Sequence, residues 1–199
     1  MMLPLPFTSL PYTLALGIAV VIWAAPEVAR GLRWRGRNGG ASVADRGSLF
    51  VTVGLIELGG LAAVACAFLL PGATITWNRE IIFWVGIAFI LAGVALRSWA
   101  VRTLGRYFLP VVAVRADQQV VRAGPYRLIR HPTYSGALLS LLGFGLALTN
   151  WVAIVVLLGC ALAGLAYRVR IEEQALLQAL GQPYREYMAK TTRFIPFLF

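Results

Sequence analysis

The segment Thr133–Tyr167 reads TYSGALLSLLGFGLALTNWVAIVVLLGCALAGLAY. It contains two apolar runs, Thr133–Leu148 and Trp151–Tyr167, and only Thr149-Asn150 separates them. Apolar runs of this length are typical of helices that enter or cross a membrane. Because a two-residue break allows only a tight return of the chain, the segment predicts an antiparallel helical hairpin.

The composition of the whole chain supports a membrane location. The chain has 199 residues, of which 59% are hydrophobic and 13% are charged. A soluble globular domain has about 25% charged residues, so this chain has too little polar surface to cover a soluble fold. The length predicts one integral membrane domain that spans residues 1–199.

Three longer apolar runs precede the hairpin, at Leu10–Ala29, Ser48–Leu70 and Ile81–Val101. Each is long enough to cross about 30 Å of hydrocarbon at about 1.5 Å per residue. Together with the hairpin they predict about five transmembrane helices. Pro26 interrupts the first run near its end.

The basic residues predict the orientation of these helices. With five spans, seventeen of the eighteen Lys and Arg residues fall on one side, and Arg79 is the exception. The positive-inside rule then places the C-terminus in the cytoplasm and the N-terminus on the opposite side. Because the net charge of +10 is explained by topology and by contact with anionic membrane lipids, we expect no nucleic-acid partner.

The C-terminal tail predicts a cytoplasmic surface element. Ile171–Leu180 is amphipathic, and Gly181 and Pro183 end it before a second short helix. Arg193–Phe199 is aromatic with one charge and predicts an interfacial foot. The predicted fold is an all-α integral membrane protein with about five transmembrane helices, the last two a tight helical hairpin, plus a cytoplasmic C-terminal amphipathic helix.

The only histidine, His131, stands just before the hairpin. Pro132 favours a helix start at this point, and the free N–H groups of a helix start can hold a carboxylate or phosphate. Tyr134 lies on the same helical face as His131. The spacing alone also allows a structural role, in which His131 caps the helix and Tyr134 anchors it at the interface.

Arg168 and Glu172 are one helical turn apart at the end of the second hairpin arm. They can form an ion pair, which contributes only about 0.3–0.5 kcal/mol when exposed. They can instead bind the two charges of a zwitterion. The spacing leaves both interpretations open.

Two carboxylates lie inside or near the apolar runs. Glu57 is in the middle of the second run, where a carboxylate suggests function. Its neighbours Gly54, Gly59 and Gly60 instead favour a protonated or hydrogen-bonded structural role at a close helix contact. Glu27 is expected to be solvated near the inner interface. One histidine and no cysteine pair exclude the common zinc sites, so no metal is expected.

Several motifs resemble the isoprenylcysteine carboxyl methyltransferase family, which belongs to a wider phospholipid methyltransferase group. The resemblance covers roughly residues 104–196. It is carried by Tyr126, the block Arg130-His131-Pro132-Thr133-Tyr134-Ser135-Gly136, Glu172-Glu173, Leu176, Gly181, Tyr184 and Tyr187.

The resemblance implies a site for S-adenosyl-L-methionine, with S-adenosyl-L-homocysteine as product. The residues that match the family's cofactor positions are Gln118, Gln119, Val120, Val121, Tyr126, His131, Pro132, Thr133, Tyr134 and Glu172. Arg168 matches an arginine tied to the methyl acceptor and is the predicted catalytic residue. Around Ala113–Arg115 the chain departs from the family, because it lacks a matching glutamine there.

The predicted function is carboxyl O-methylation of a lipophilic, isoprenylcysteine-like or prenylated acceptor. Residues 1–103 would form the acceptor side and residues 104–199 the cofactor-binding half. A phospholipid or amine N-methyltransferase is the alternative within the same chemistry. An NADPH-dependent membrane reductase and a non-catalytic membrane scaffold are the alternatives from other classes.

Overall fold

The computed structural model describes residues 3–34 and 42–195 and is mainly helical, as predicted. One short antiparallel pair joins strand β1 (Ser42–Val43) to strand β2 (Ala113–Val114). The helices are α1 (Leu10–Trp34), α2 (Ser48–Leu69), α3 (Arg79–Leu104), α4 (Pro132–Ala147), α5 (Trp151–Leu180) and α6 (Gln182–Lys190).

The protein is an integral, multi-pass membrane protein. The helices α1, α2, α3 and α5 are each long and apolar enough to cross a membrane. The fourth predicted run forms α4, whose 16 residues extend only about 24 Å at about 1.5 Å per residue. The membrane-spanning helices therefore number at least four by length, and the count of five stays a prediction.

Glycines bring α3 and α4 into backbone contact. A Cβ added to Gly143 would lie 2.5 Å from the carbonyl oxygen of Gly86, and one added to Gly136 would lie 2.7 Å from that of Gly93. The Ser140 hydroxyl also donates to the Ile90 carbonyl, at 3.1 Å. This packing holds α3 and α4 as a close pair, in the manner of small-residue contacts in membranes.

A second close pair joins α2 to α5. A Cβ on Gly59 would lie 2.8 Å from Cβ of Cys160, and the Thr52 hydroxyl donates to the Gly164 carbonyl at 3.0 Å. Of the three glycines predicted to mark a helix contact, Gly59 fulfils this role, whereas Gly54 and Gly60 face open space. Their role in the contact was predicted wrongly, because helical spacing turns them away from α5.

The predicted hairpin of α4 and α5 is confirmed. Thr149 takes a left-handed conformation with φ 52°, and the Asn150 side chain accepts a hydrogen bond from the Ala153 N–H at 3.0 Å. The same side chain donates to the Leu70 carbonyl at 3.1 Å. Asn150 thus both starts α5 and ties the hairpin turn to the end of α2.

The tail differs from the prediction in one respect. Ile171–Leu180 is not a separate amphipathic helix but the continuation of α5, which runs unbroken to Gly181 at φ 60°. No proline interrupts this part of the chain, and the carboxylates of Glu172 and Glu173 have partners on α4, at its start and in the tail. The predicted short helix after Gly181 is confirmed as α6, while Pro196–Phe199 of the predicted foot lies outside the described residues.

The packing leaves a cleft on one side of the bundle. α1, which contains Pro26, packs mainly along α3, whereas α2 packs along α5. Of the basic residues predicted to lie on the inner side, Arg35 and Arg37 are outside the described residues. The space between α1 and α2 leads into the cavity described next.

Candidate functional site

A cavity of about 560 Å³ lies at the end of the bundle where α2 and α4 begin and α1, α3 and α5 end. This volume is in the range of small-molecule sites. Every predicted cofactor residue except Pro132 lines it, and so does Arg168. Pro132 is fully buried and is the first residue of α4, as predicted.

Two uncharged polar groups in the cavity wall, on Tyr126 and Gln118, are buried without a partner among the described residues. Tyr126 is buried, with 5% of its surface exposed, and its hydroxyl makes no hydrogen bond. The side-chain oxygen of Gln118 is also buried without a hydrogen bond. Burial, together with the negative charge of Glu172, raises the pKa of Tyr126 well above its usual value. The Tyr126 hydroxyl therefore stays protonated, and both groups are available to a ligand.

Tyr134 stands between the two charges that were predicted to interact. Its hydroxyl donates to Oε2 of Glu172 at 2.6 Å and accepts from Nε of Arg168 at 2.8 Å. Among the described residues, Arg168 and Glu172 form no direct ion pair, so the ion-pair interpretation is wrong, and binding of a zwitterion by the two residues stays a prediction. The side chain of Glu172 is 30% exposed, and its Oε1 makes no hydrogen bond in the described part of the chain. One carboxylate oxygen thus faces the cavity.

Arg168 connects three other segments of the chain. Besides Tyr134 it donates from Nη1 to Oδ1 of Asp45 at 3.1 Å and to the Ser48 hydroxyl at 3.2 Å. Its Nη2 donates to the Pro110 carbonyl at 2.6 Å. Each nitrogen of this buried guanidinium therefore has a protein partner.

Asp45 was missed by the sequence analysis. Its carboxylate accepts from the backbone N–H of Val112 at 3.0 Å and of Leu49 at 3.1 Å, and from the Ser48 hydroxyl at 2.9 Å. Burial alone would raise the pKa of Asp45, but these donors and Arg168 hold it below its usual value. Its signal was an isolated acid in a basic loop three residues before the start of α2, which is typical of a residue that caps a helix.

His131 is held by carboxylates rather than capping α4 with its side chain. The ring is 3% exposed, its Nε2 lies 3.3 Å from Oε1 of Glu173, and its Nδ1 lies 3.8 Å from Oε2 of Glu172. It also stacks on Tyr134, with 5.5 Å between ring centroids. His131 therefore supports the groups that line the cavity.

The tail lies directly against this cluster. The N–H groups of Arg130 and His131 donate to the carbonyls of Thr192 and Arg193, at 2.8 and 3.0 Å. The Arg193 guanidinium in turn pairs with Glu173 at 2.9 Å. The strand-like segment 191–194 is thereby fastened below the start of α4.

A second polar cluster lies on the α1 side of the cavity. Glu27 was expected to be solvated, but it accepts hydrogen bonds from Nε and Nη2 of Arg97, the latter at 2.8 Å, and it pairs with Arg30. Arg97 also donates from Nη1 to the Thr133 carbonyl at 2.9 Å. The signal for Arg97 was an arginine inside an apolar run, which the sequence analysis used only for topology.

The remaining wall is apolar and faces the cleft between α1 and α2. Its apolar side chains include Trp23, Val53, Ile56, Leu141 and Leu165. Glu57 also lines it, exposed and without a side-chain hydrogen bond among the described residues; the hydrogen-bonded form of its predicted structural role is therefore wrong, and the protonated form stays a prediction. The cavity therefore has a polar end and an apolar end.

Comparison with known proteins gives consistent results. Residues 84–178 match the model of the isoprenylcysteine carboxyl methyltransferase (ICMT) family. A probable protein-S-isoprenylcysteine O-methyltransferase of Oryza sativa subsp. indica is 33% identical over 58% of this chain and 61% of the rice protein. Protein-S-isoprenylcysteine O-methyltransferase A of Arabidopsis thaliana is 32% identical over 65% of this chain and 66% of that protein. The chain thus spans somewhat less than two thirds of the length of these relatives.

The solved structure of the eukaryotic intramembrane Ras methyltransferase ICMT is similar in fold as well. It superposes with a TM-score of 0.58 at 28% identity, over 71% of this chain and 52% of the other. The matched residues include α4 and nearly all of α5, which carry Tyr134, Arg168 and Glu172. From these matches, residues 84–178 carry the pattern of the isoprenylcysteine carboxyl methyltransferase family, and the chain is similar to members of that family in sequence and fold.

Proposed function

We propose that the chain is an S-adenosyl-L-methionine-dependent methyltransferase that acts on a lipophilic acceptor, with an isoprenylcysteine-like carboxylate as the favoured acceptor. The observation that carries this proposal is the cavity, whose polar end continues into an apolar cleft between α1 and α2. Two substrates that partition into different solvents can meet in such a cavity. The basic end would face the cytoplasm, and the N-terminus would lie on the opposite side.

The polar end fits the chemistry of S-adenosyl-L-methionine. Its ammonium would bind the free oxygen of Glu172, and its carboxylate would bind the first N–H groups of α4 at Thr133. The unpartnered groups of Tyr126 and Gln118 would contact its adenosine, beside Gln119, Val120 and Val121. When bound, the cofactor would supply a methyl group on a sulfonium sulfur; its transfer to a carboxylate oxygen breaks a C–S bond, forms a C–O bond and leaves S-adenosyl-L-homocysteine.

The chain's own residues would act by positioning. A carboxylate acceptor is already ionised at pH 7, so no general base is needed. The apolar wall excludes water from the reacting atoms, and the fixed side chains align the two substrates. In this proposal, residues 1–103 contribute most of the acceptor end of the cavity, and residues 104–199 contribute most of the cofactor end.

The assignment of Arg168 to the acceptor stays a prediction. Its contacts favour a positioning role, because an acceptor carboxylate would have to displace Asp45, Ser48, Tyr134 or the Pro110 carbonyl. Arg97 is another permanent cation in the wall, and among the described residues Glu27 on α1 and the Thr133 carbonyl hold it. We propose Arg97 as the acceptor's principal partner, with Arg168 fixing Tyr134 and, through it, Glu172.

N-methylation of an amine or phospholipid is the second candidate. Glu57, a carboxylate at the cleft without a hydrogen bond in the described residues, would suit an ammonium or accept its proton. A reductase predicts binding of NADPH, and a scaffold predicts that Glu172 tolerates substitution in a folded protein.

The test is incubation of the purified protein with methyl-labelled S-adenosyl-L-methionine and N-acetyl-S-farnesylcysteine, then with phospholipids. We expect base-labile label on the farnesylated compound, as for a carboxyl ester. Base-stable label on an amine would establish N-methylation instead. Absence of both labels, together with no binding of S-adenosyl-L-homocysteine by calorimetry, would refute the methyltransferase proposal.

A further inference from the structure

Arg97 is bound by a carboxylate of the protein itself. Glu27 uses both oxygens toward Arg97, one toward Nε and one toward Nη2, which is the bidentate geometry that a free carboxylate ligand would adopt. Both side chains line the cavity, and the side chain of Glu27 is 36% exposed. A carboxylate acceptor therefore reaches the Nε–Nη2 edge of Arg97 in this arrangement only by exchange with Glu27.

The Glu27 cluster carries an excess of positive charge. One carboxylate is shared by two guanidinium groups, Arg97 and Arg30, and Nε of Arg30 is buried without a hydrogen bond among the described residues. A second carboxylate entering the cluster would leave two carboxylates for two cations. The charges thus favour capture of an anion at this point of the cavity wall.

Glu27 also lies on a helix that packs along few other elements. It follows Pro26 in α1, where a proline removes a backbone hydrogen bond, and α1 packs mainly along α3 alone. Arg168, in contrast, is held from the β1–α2 loop, the loop before β2 and α4 together. An exchange of partners is therefore possible at Arg97 without dismantling the cofactor end.

We propose that Glu27 is a placeholder for the acceptor carboxylate. It holds Arg97 when the acceptor is absent, yields Arg97 to the acceptor carboxylate, and returns when methylation has converted that carboxylate to a neutral ester. Glu27 then favours release of the product, because the neutral ester no longer competes with Glu27 for the Arg97 guanidinium. This inference rests on the proposed function and adds a residue that selects for carboxylate acceptors.

The experiment compares the wild-type protein with Glu27→Gln and with Glu80→Gln, which removes the same charge at the far end of α3. Calorimetry measures the Kd of N-acetyl-S-farnesylcysteine and of its methyl ester for each protein, in the presence of S-adenosyl-L-homocysteine. We expect Glu27→Gln to bind the carboxylate about 3- to 10-fold more tightly, because Arg97 no longer has to be freed. Binding of the ester, and all constants of Glu80→Gln, should stay at wild-type values.

A structural role for Glu27 predicts the opposite sign. If Glu27 only fixes Arg97, Glu27→Gln loosens the guanidinium and the carboxylate binds more weakly. Weaker or unchanged carboxylate binding in a protein that still binds S-adenosyl-L-homocysteine would overturn the placeholder. Should Glu27→Gln fail to fold, Glu27→Asp, with a shorter reach toward Arg97, must show a smaller tightening, and its absence counts equally against the inference.

The two proposals fail in different ways. A wild-type protein that methylates the farnesylated carboxylate while Glu27→Gln shows no tightening refutes the placeholder and leaves the proposed function intact. A wild-type protein that binds neither the carboxylate nor S-adenosyl-L-homocysteine refutes both.

Discussion

Replacement of Glu172 by glutamine is the sharpest test of the cofactor end. The substitution keeps the shape of the side chain and its contact with the Tyr134 hydroxyl, but it removes the charge that would bind the cofactor's ammonium. A hydrogen bond to a charged group contributes about 1.5–3 kcal/mol. Because the side chain of Glu172 is 30% exposed, solvent screening reduces this, and we expect a loss of about 1–2 kcal/mol.

This loss corresponds to about a 5- to 30-fold weaker Kd for S-adenosyl-L-homocysteine. Calorimetry on the detergent-solubilised protein measures it directly. The neighbouring Glu173→Gln is the matched control, since Glu173 is only 7% exposed and is occupied by Arg130, His131 and Arg193. Glu173→Gln should lower the melting temperature, whereas Glu172→Gln should leave it nearly unchanged. An unchanged Kd in folded Glu172→Gln would refute the assignment of this carboxylate to the cofactor.

Four further outcomes are expected. Arg168→Lys should weaken S-adenosyl-L-homocysteine binding and acceptor turnover in parallel, because Arg168 fixes Tyr134 and, through it, Glu172; a raised acceptor KM with unchanged S-adenosyl-L-homocysteine affinity would instead assign Arg168 to the acceptor carboxylate. Deletion of Phe194–Phe199 should reduce turnover more than melting temperature, because the Ser135 hydroxyl loses the Phe194 carbonyl beside the start of α4; full activity would show that the foot is only an anchor. Gly143→Ala should destabilise the protein by about 1–3 kcal/mol through its contact with the Gly86 carbonyl, while Gly159→Ala, which faces open space, should not. Because the pKa of Asp45 is lowered on folding, its contribution to stability should be present at neutral pH and be lost as the pH falls through that lowered pKa, and acid unfolding of Asp45→Asn should lack this component.

Local patterns predicted the helices well, because each depends on residues close in sequence. Each apolar run corresponds to a helix. Pro132 is the first residue of α4, and Gly181 directly follows the last residue of α5. The continuation of α5 through Ile171 was not predicted, because it depends on partners that satisfy the polar residues of the helix from outside it.

The charged groups of the site were harder to predict. Asp45 meets Val112 across 67 residues and Arg168 across 123, and Glu27 meets Arg97 across 70. Helical and strand periodicities relate residues that are a few positions apart, so they cannot predict contacts between residues this far apart in sequence. The family resemblance supplied Tyr134 and Glu172 as residues, but only the structure shows the Tyr134 hydroxyl between Glu172 and Arg168.

The backbone contact between α3 and α4 limits which helices can change in sequence when the methyl acceptor changes. At Gly86–Gly143 and Gly93–Gly136 any added side chain would separate the helices that carry Arg97 and Tyr134, so this seam has little freedom to vary. The faces of α1 and α2 toward the cleft carry no such requirement. Substitutions there can change the shape and polarity offered to a lipid while the cofactor end keeps its geometry. Acceptor range can therefore diverge, or be redesigned, in the first two helices alone.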